Sequence, residues 1–304
     1  MTDRASQGPP VPLLHERIVD WYAREARSLP WREHGTSPWG VLVSEVMLQQ
    51  TPVARVEPVW RAWMARWPSP GALAAEATGE AVHAWGRLGY PRRALRLHAA
   101  AVVMVQRHQG EVPHTHEELL ALPGVGTYTA AAVASFAFGV PAAVVDTNVR
   151  RVLARVVEGA GQAGLSRSGA DRADLALATA LLPAEPDVAR VWSVAVMEVG
   201  ALVCSARAPR CPSCPVEDLC AWRQAGRPAY EGPVRRAQPF LQTDRQCRGA
   251  ILSVLREASG PASAAEVQAA WPADDTQRER CLDSLVADGL AERLSRRRFR
   301  LPGR

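Results

Sequence analysis

Lysine is absent from this 304-residue sequence, so all 36 of its basic residues are arginines. This absence excludes any reaction that needs a lysine side chain, above all a Schiff base with a carbonyl group of a substrate. The basic residues still outnumber the 31 acidic residues and give a formal net charge of +5. An excess of positive charge favours an anionic partner.

Long apolar runs are also lacking. The longest, residues 129–145, contains Gly139 and Pro141, which predicts a buried helix followed by a loop rather than a membrane span. The N-terminal sequence MTDRASQGPP has no apolar core of the kind that signal peptides carry. We therefore expect a cytoplasmic protein that makes no contact with a membrane.

Helical periodicity dominates the chain, and strand patterns are scarce before its end, so we predict a mainly α fold. We expect a disordered N-terminus (1–12), a helical domain (13–224), a Pro/Gly/Arg-rich linker (225–239) and a small domain (240–304). Turn signals separate the predicted helices of the helical domain. These are residues 13–27, 41–51, 56–67, 80–88, 92–108, 117–122, 127–139, 147–157, 172–182 and 191–204.

The small domain reads as three helices followed by the alternating segment AERLSRRRFRL (291–301). Three helices and a β-hairpin are typical of a winged helix-turn-helix, which is often a DNA-binding module. The alternative is that this domain packs on the helical domain or binds another protein.

Four of the six cysteines fall within seventeen residues, in the pattern C-x6-C-x2-C-x5-C; they are Cys204, Cys211, Cys214 and Cys220. Such clustering in a cytosolic chain indicates a metal site rather than disulfides, and four thiolates hold either zinc or a [4Fe–4S] cluster. A ligand-held loop would present Arg207 and Arg210 rigidly to phosphates, unless they are ordinary surface arginines. Cys247 and Cys281 stand alone and are expected in the core.

The segment LLALPGVGTYTAAAV (119–133) predicts a helix, a tight turn and a second helix. Gly124 and Gly126 permit positive φ and the close approach of another backbone. The start of the second helix offers free N–H groups to a phosphate. This is the form of a helix-hairpin-helix, which holds the DNA backbone without reading its sequence.

Two carboxylates stand in unusual places. Glu45 lies in the apolar run VLVSEVMLQQT (41–51), where burying a charge is costly unless the group is paired or protonated. The alternative is a helix rim with Glu45 in water. Asp146 lies where the helix of VVDTNVRRVLAR (144–155) begins, a common position for a structural N-cap. On that interpretation the arginines that follow form a solvated face; they are Arg150, Arg151 and Arg155.

Taken in order, the hairpin motif, the Asp and the cysteine spacing resemble the endonuclease III superfamily of DNA glycosylases. LPWR (29–32), SEVMLQQT (44–51) and LGY (88–90) are similar to its adenine-glycosylase (MutY) branch. The resemblance covers residues 13–222. It implies a six-helix barrel carrying the hairpin and a second helical lobe that holds a [4Fe–4S] cluster, with the N-terminal helix packed into that lobe.

The resemblance implies that Glu45 is a catalytic acid, kept protonated by burial, that protonates N7 of an extruded adenine. Asp146, ionised, would stabilise the oxocarbenium character of the sugar. Tyr128 and Asn148 would position Asp146 and the nucleotide. Tyr128 stands where glycosylase/lyases carry their lysine, so we expect a monofunctional enzyme that leaves an abasic site.

The resemblance also implies a set of DNA-contact residues. Arg32 would line the adenine pocket, whereas Gln50 and Tyr90, with Leu88 beside them, would probe or wedge the duplex. The other expected contacts are Thr51, Gly124, Gly126, Arg207 and Arg210. The expected partner is double-stranded DNA with adenine opposite 8-oxoguanine or guanine, bound by a monomer at the nucleoid. Coupling to a sliding clamp and an abasic-site endonuclease is also expected.

The sequence departs from the family pattern at several places. The usual D-G-N is D-T-N (146–148), the usual GLGYY is RLGYP (87–91), and Val194 stands where other members can carry a polar adenine contact. No Nudix-like domain fits in the C-terminal region, so its preference for 8-oxoguanine is open. Two other functions remain: a thymine or oxidised-pyrimidine glycosylase of the same fold, and a non-enzymatic winged-helix regulator with a zinc site.

Overall fold

The computed structural model describes residues 9–162, 172–232 and 240–304. The chain forms two compact units, each assembled from separate stretches of sequence. The first unit contains residues 1–33, 114–116 and 126–236, and the second contains residues 34–113, 117–125 and 237–304. None of the helices in the described ranges is long and apolar enough to cross a membrane.

The described residues form fifteen α-helices and three short strands. The helices up to residue 138 are α1 (Val11–Glu25), α2 (Pro38–Leu48), α3 (Val53–Arg66), α4 (Pro70–Ala74), α5 (Thr78–Trp85), α6 (Arg92–Arg107), α7 (His116–Leu120) and α8 (Thr127–Phe138). They are followed by α9 (Thr147–Val156), α10 (Arg172–Ala180), α11 (Pro186–Leu202), α12 (Ala221–Gln224), α13 (Asp244–Glu257), α14 (Ala264–Ala270) and α15 (Asp275–Ala287). The strands are β1 (Ala262–Ser263), β2 (Glu292–Ser295) and β3 (Arg298–Arg300).

The predicted mainly α fold is confirmed, with differences at the ends of elements. Helix α1 begins at Val11, two residues before the predicted start, because a proline in the first turn is tolerated where the backbone N–H has no helical partner. Helices α4 and α12 and strand β1 were not predicted, since two to five residues are too few to show a period. Residues 1–8 and residues 233–239 of the predicted linker lie outside the described residues.

The core of the first unit joins its N-terminal helix to the cysteine loop. Helix α1 buries Leu14, Ile18 and Trp21 against α11, and the same apolar cluster includes residues of α9 together with Val216 and Cys220. The N-terminal helix is therefore packed into the cysteine-bearing lobe, as the resemblance implied.

The core of the second unit is built on tryptophans. Trp63 makes edge-to-face contacts with Trp67 and Trp85, with ring centroids 4.7 and 5.7 Å apart. The indole N–H groups of Trp39 and Trp60 donate to the carbonyls of Trp67 and Gly40. Helix α2 lies in this core and is buried along nearly its whole length.

The C-terminal residues of the second unit have winged-helix topology. Helices α13, α14 and α15 are combined with an antiparallel sheet of order β1-β3-β2. This domain packs on the helical residues of the same unit: Gly79 N–H donates to Pro302 O at 2.8 Å, and Arg256 Nε donates to Val82 O at 3.0 Å. Helix α15, the usual DNA-reading helix of this motif, carries the exposed acidic residues Asp275, Glu279 and Asp283.

Candidate active site

Asp146 is fixed at the N-terminus of α9. Its Oδ1 accepts hydrogen bonds from the backbone N–H groups of Asn148 (2.8 Å) and Val149 (2.7 Å). Its Oδ2 accepts from Asn148 Nδ2 at 2.7 Å. The N-cap geometry is thus present, and it orients both carboxylate oxygens before any substrate binds.

Two opposing effects act on the pKa of Asp146. Burial raises this pKa above the usual aspartate value, and the hydrogen bonds from Val149 and Asn148 and the charge of Arg151 lower it, with burial the larger effect. The ionised form therefore depends on these donors, because an unsolvated carboxylate without them would hold its proton.

Arg151 connects Asp146 to the loop that carries the cysteines. Its Nη2 donates to Asn148 Oδ1 and to Gly200 O, both at 2.7 Å, and its Nε donates to Cys204 O at 2.6 Å. Gly200 is required for this approach, since a Cβ there would lie 2.7 Å from Asn148 Cβ. Arg151 therefore binds the side-chain oxygen of Asn148, and the side-chain nitrogen of Asn148 donates to Asp146.

Arg155, one turn further along α9, holds the beginning of the cysteine loop. It is buried and donates to Ser205 O (2.8 Å), Ala206 O (3.0 Å) and Cys204 Sγ (3.4 Å). Arg150 forms a mostly buried ion pair with Asp174 at 2.6 Å. The expected solvated face of arginines on α9 is therefore wrong: all three guanidinium groups bind protein groups.

The four clustered cysteines line one small cavity of about 20 Å³. Burial raises the pKa of the Cys214 thiol to about 12, so a ligand that binds thiolates must displace its proton. Arg155, beside Cys204 Sγ, supplies a positive charge that would compensate bound thiolates. In the described residues, no three His, Cys, Asp or Glu side chains are gathered closely enough to hold a single metal ion.

A second buried carboxylate, which the sequence analysis missed, lies on α11. Glu198 is 0% exposed and pairs with two arginines from the N-terminal segment. Arg27 Nε donates to its Oε1 at 2.6 Å, and Arg32 Nη1 donates to its Oε2 at 3.0 Å. Burial opposes ionisation, but the hydrogen bond from Arg27 and the charges of both arginines lower the pKa of Glu198 below its usual value.

This network determines where Arg32 lies. Its guanidinium is also within 5.9 Å of the Tyr22 ring centroid. Val194 is one turn before Glu198 on α11, so it lies on the same face of that helix. The sequence signal for Glu198 was available, because VWSVAVMEVGAL places a single carboxylate in an apolar helix just as the Glu45 segment does.

In the second unit, Glu45 lies in the middle of α2 and is 7% exposed. Ser44 beside it is buried and donates to Val41 O at 2.7 Å. The alternative of a water-facing helix rim is therefore wrong. Apolar neighbours surround Glu45 along the helix; those that are buried are Val41, Leu42, Val43, Val46 and Met47.

The hairpin glycines differ from one another. Gly124 has φ of +80°, and a Cβ there would lie 2.6 Å from Arg96 Cβ, so both its conformation and its surroundings require glycine. Gly126 has φ of −102° and open space around it. Tyr128, in the first turn of α8, packs against an apolar cluster that includes Ala132 and Val144.

The predicted wedge residues occupy two adjoining turns of the second unit. Gln50 and Tyr90 are exposed and have positive φ of 59° and 46°. Thr51 and Leu88 are buried, and Thr51 Oγ1 donates to Leu88 O at 3.4 Å. The buried pair thus connects the two turns, and direct contact of either side chain with DNA stays a prediction.

The two arginines of the cysteine loop have different surroundings. Arg210 is exposed, and its guanidinium donates to Leu202 O at the end of α11, which anchors the loop. Arg207 is exposed to solvent. Their contacts with phosphates remain predictions.

Comparison with known proteins gives a consistent family. Residues 43–163 match the model described as HhH-GPD superfamily base excision DNA repair protein. The adenine DNA glycosylase of Mycobacterium tuberculosis (strain ATCC 25618 / H37Rv) is 53% identical over 294 residues, which are 97% of this chain and 95% of that protein.

Two solved structures share the fold of most of the chain. A thermostable thymine-DNA glycosylase has a TM-score of 0.63 at 28% identity, covering 71% of this chain and 97% of its own. A non-covalent endonuclease III–DNA complex has a TM-score of 0.59 at 25% identity, covering 72% and 97%.

The chain belongs to the HhH-GPD superfamily of base excision DNA repair proteins. Within it, the chain is a DNA N-glycosylase of the adenine DNA glycosylase (MutY) type. The predicted family, fold and enzyme class are confirmed, and DNA is the partner. The winged-helix domain falls within the length shared with the mycobacterial relative, since that match leaves only ten residues uncovered.

Proposed function

We propose that this enzyme releases adenine opposite 8-oxoguanine or guanine by hydrolysis of the N-glycosidic bond. The observation that carries the proposal is the oriented carboxylate of Asp146, held by Asn148 and, through it, by Arg151. A fixed negative charge is what an oxocarbenium-like transition state requires. The adenine specificity is supported by the name of the M. tuberculosis relative.

In the proposed reaction Glu45 gives its proton to N7 of the adenine. The C1′–N9 bond then breaks and its electron pair leaves with the base, while Asp146 stabilises the positive sugar. Water adds to C1′ and its proton returns to a carboxylate, so the products are adenine and an abasic site. Because the sequence has no lysine, no lysine Schiff base forms and strand cleavage requires added alkali.

We further propose that the four cysteines bind a [4Fe–4S] cluster, the group that this superfamily usually carries. Cys204, Cys211, Cys214 and Cys220 would be its ligands, and a cluster bound there would stabilise the loop structurally. Support comes from the shared cavity and from Arg155 beside Cys204. The wild-type protein should show an absorption band near 400 nm. The Cys214→Ser variant should lose both this band and its bound iron, and that result would distinguish the cluster from zinc.

A second substrate has some support, since a thymine-DNA glycosylase shares the fold. The test is single-turnover cleavage of four labelled duplexes, with A:8-oxoguanine, A:G, T:G or thymine glycol, by the wild type and Glu45→Gln. Adenine release that the variant loses and that needs alkali for strand breaks supports the proposal. Release of thymine instead would contradict it. Cytoplasmic location at the nucleoid and coupling to a sliding clamp or abasic-site endonuclease stay predictions.

A further inference from the structure

Two exposed aromatic residues of the second unit lie close to the same arginine side chain. Tyr90 is 46% exposed and Phe240 is 51% exposed, and no other Phe, Trp or Tyr is so exposed in the described ranges. Arg245, in the first turn of α13, has its Cζ 5.5 Å from the Tyr90 ring centroid and 5.6 Å from that of Phe240. The start of the winged-helix domain therefore adjoins the predicted wedge residue.

A second arginine joins this surface to the turn before Thr51. Arg93 has its Cζ 4.4 Å from the Tyr90 ring centroid, and its guanidinium donates to Gln49 O and to Gln50 Oε1. We call Gln50, Tyr90, Arg93, Phe240 and Arg245 the aromatic–arginine surface. It carries two positive charges and no carboxylate.

The backbone is strained at the same place. Five non-glycine residues of the described chain have positive φ, and three of them lie in or beside this surface: Gln50, Tyr90 and Gln242. Non-glycine residues in this conformation persist only where the surrounding structure holds them, and they concentrate at functional sites. The exposed Leu241 stands between Phe240 and Gln242 and adds further apolar area.

We propose that Phe240 and Arg245 extend the wedge at Tyr90 into a stacking platform for an unstacked base of the strand opposite the extruded adenine. Aromatic rings and arginine planes bind a base by its π-face, and the arginine charges attract the neighbouring phosphates. The inference rests on the proposed function and gives the domain a role in mismatch recognition.

The test is a binding measurement that does not depend on catalysis. The probe duplex carries 2′-fluoro-2′-deoxyadenosine, whose base is not released, opposite 8-oxoguanine, and a second duplex has the same sequence with an A:T pair. We expect the double variant Phe240→Ala/Arg245→Ala to raise the Kd for the mismatched duplex about tenfold. The Kd of the A:T duplex should rise clearly less, because only the attraction of Arg245 for phosphates is lost there.

The matched control is Arg61→Ala/Leu294→Ala, which removes one exposed arginine and one exposed apolar side chain elsewhere in the second unit. It should leave both Kd values at wild-type level, and unfolding midpoints should show that both double variants are folded. Equal weakening on the two duplexes, or none on the mismatched one, would overturn the platform.

Arg245→Lys separates stacking from charge, because lysine keeps the charge but not the planar group. The platform requires this variant to weaken binding to the mismatched duplex. Wild-type affinity in Arg245→Lys would show that charge suffices and would also overturn it. A separate measurement tests the proposed function itself. If the wild type released no adenine from an ordinary A:8-oxoguanine duplex, the proposed function would be wrong.

Discussion

Glu45 and Glu198 have nearly the same sequence setting and different surroundings. Each is the single carboxylate of an apolar helical segment, one in the second unit and the other in the first, and each is buried. Glu198 forms ion pairs with Arg27 and Arg32, whereas Ser44 and apolar residues precede and follow Glu45 along its helix. A buried carboxylate is therefore no proof of catalysis, since the two arginines that pair with Glu198 give it a structural role.

The sharpest test of this comparison is Glu45→Gln. The amide keeps the size of the side chain but gives no proton to the base, so we expect the single-turnover rate of adenine release to fall about 10²–10⁴-fold. The free energy of unfolding should change by about 1 kcal/mol at most, because the glutamine amide keeps the volume of the side chain and its capacity to form hydrogen bonds. Glu45→Asp, which retains the proton, should keep part of the rate; a Glu45→Gln enzyme with wild-type kinetics would contradict the assignment.

Glu198→Gln should show the opposite pattern. Removing the charge leaves Arg27 and Arg32 without their shared carboxylate, and breaking such a buried pair costs about 3 kcal/mol, near the low end because Arg27 is partly exposed. Urea unfolding of the two glutamine variants measures this directly. If Glu198→Gln were as stable as the wild type, the ion pairs would have no structural role.

The sequence pointed to Glu45 as a functional residue, but it did not reveal Glu198 or the partners of Glu198. Helices, the cysteine spacing and the N-cap at Asp146 are local patterns, and all are visible within a few residues. The partners of Glu198 lie 166 and 171 residues away along the chain. Pairing across such a distance is decided by tertiary packing, so no local pattern could name Arg27 or show that Arg32 is bound to Glu198.

The contacts of the arginines on α9 also could not be predicted from a local sequence pattern. A run of arginines with an acidic N-cap reads as a solvated helix face, yet Arg155 is buried against the cysteine loop and Arg151 holds Asn148. The carbonyls that they bind, such as those of Gly200 and Ser205, carry no signal in the sequence because every residue has one. Tertiary contacts with backbone acceptors are therefore invisible until the fold is known.

Acid unfolding should distinguish Glu198 from Asp146. The pKa of Glu198 is lowered in the folded protein, so its contribution to stability is complete above the unfolded glutamate pKa and is lost as the pH falls through the folded one. The pKa of Asp146 is raised, so protonation of this group favours the folded state as the pH falls. Unfolding free energies measured from neutral to acidic pH should therefore decline less steeply in Glu198→Gln than in the wild type, and parallel curves would contradict the lowered pKa.

The smallest effect is expected from Asn148→Ala, which leaves Asp146 in place but removes one of its donors. Loss of the hydrogen bond from Asn148 Nδ2 raises the pKa of Asp146 further, because that bond favours the ionised form. A reaction that needs the carboxylate should then lose rate first at low pH. The acidic limb of the single-turnover pH profile should therefore move to higher pH. On the plateau of the profile, the rate should be about tenfold lower than in the wild type. Arg150→Ala, on the same helix but paired with Asp174, serves as the control for loss of a polar side chain. A limb that stays in place while the plateau falls would show that Asn148 acts on the nucleotide rather than on the ionisation of Asp146.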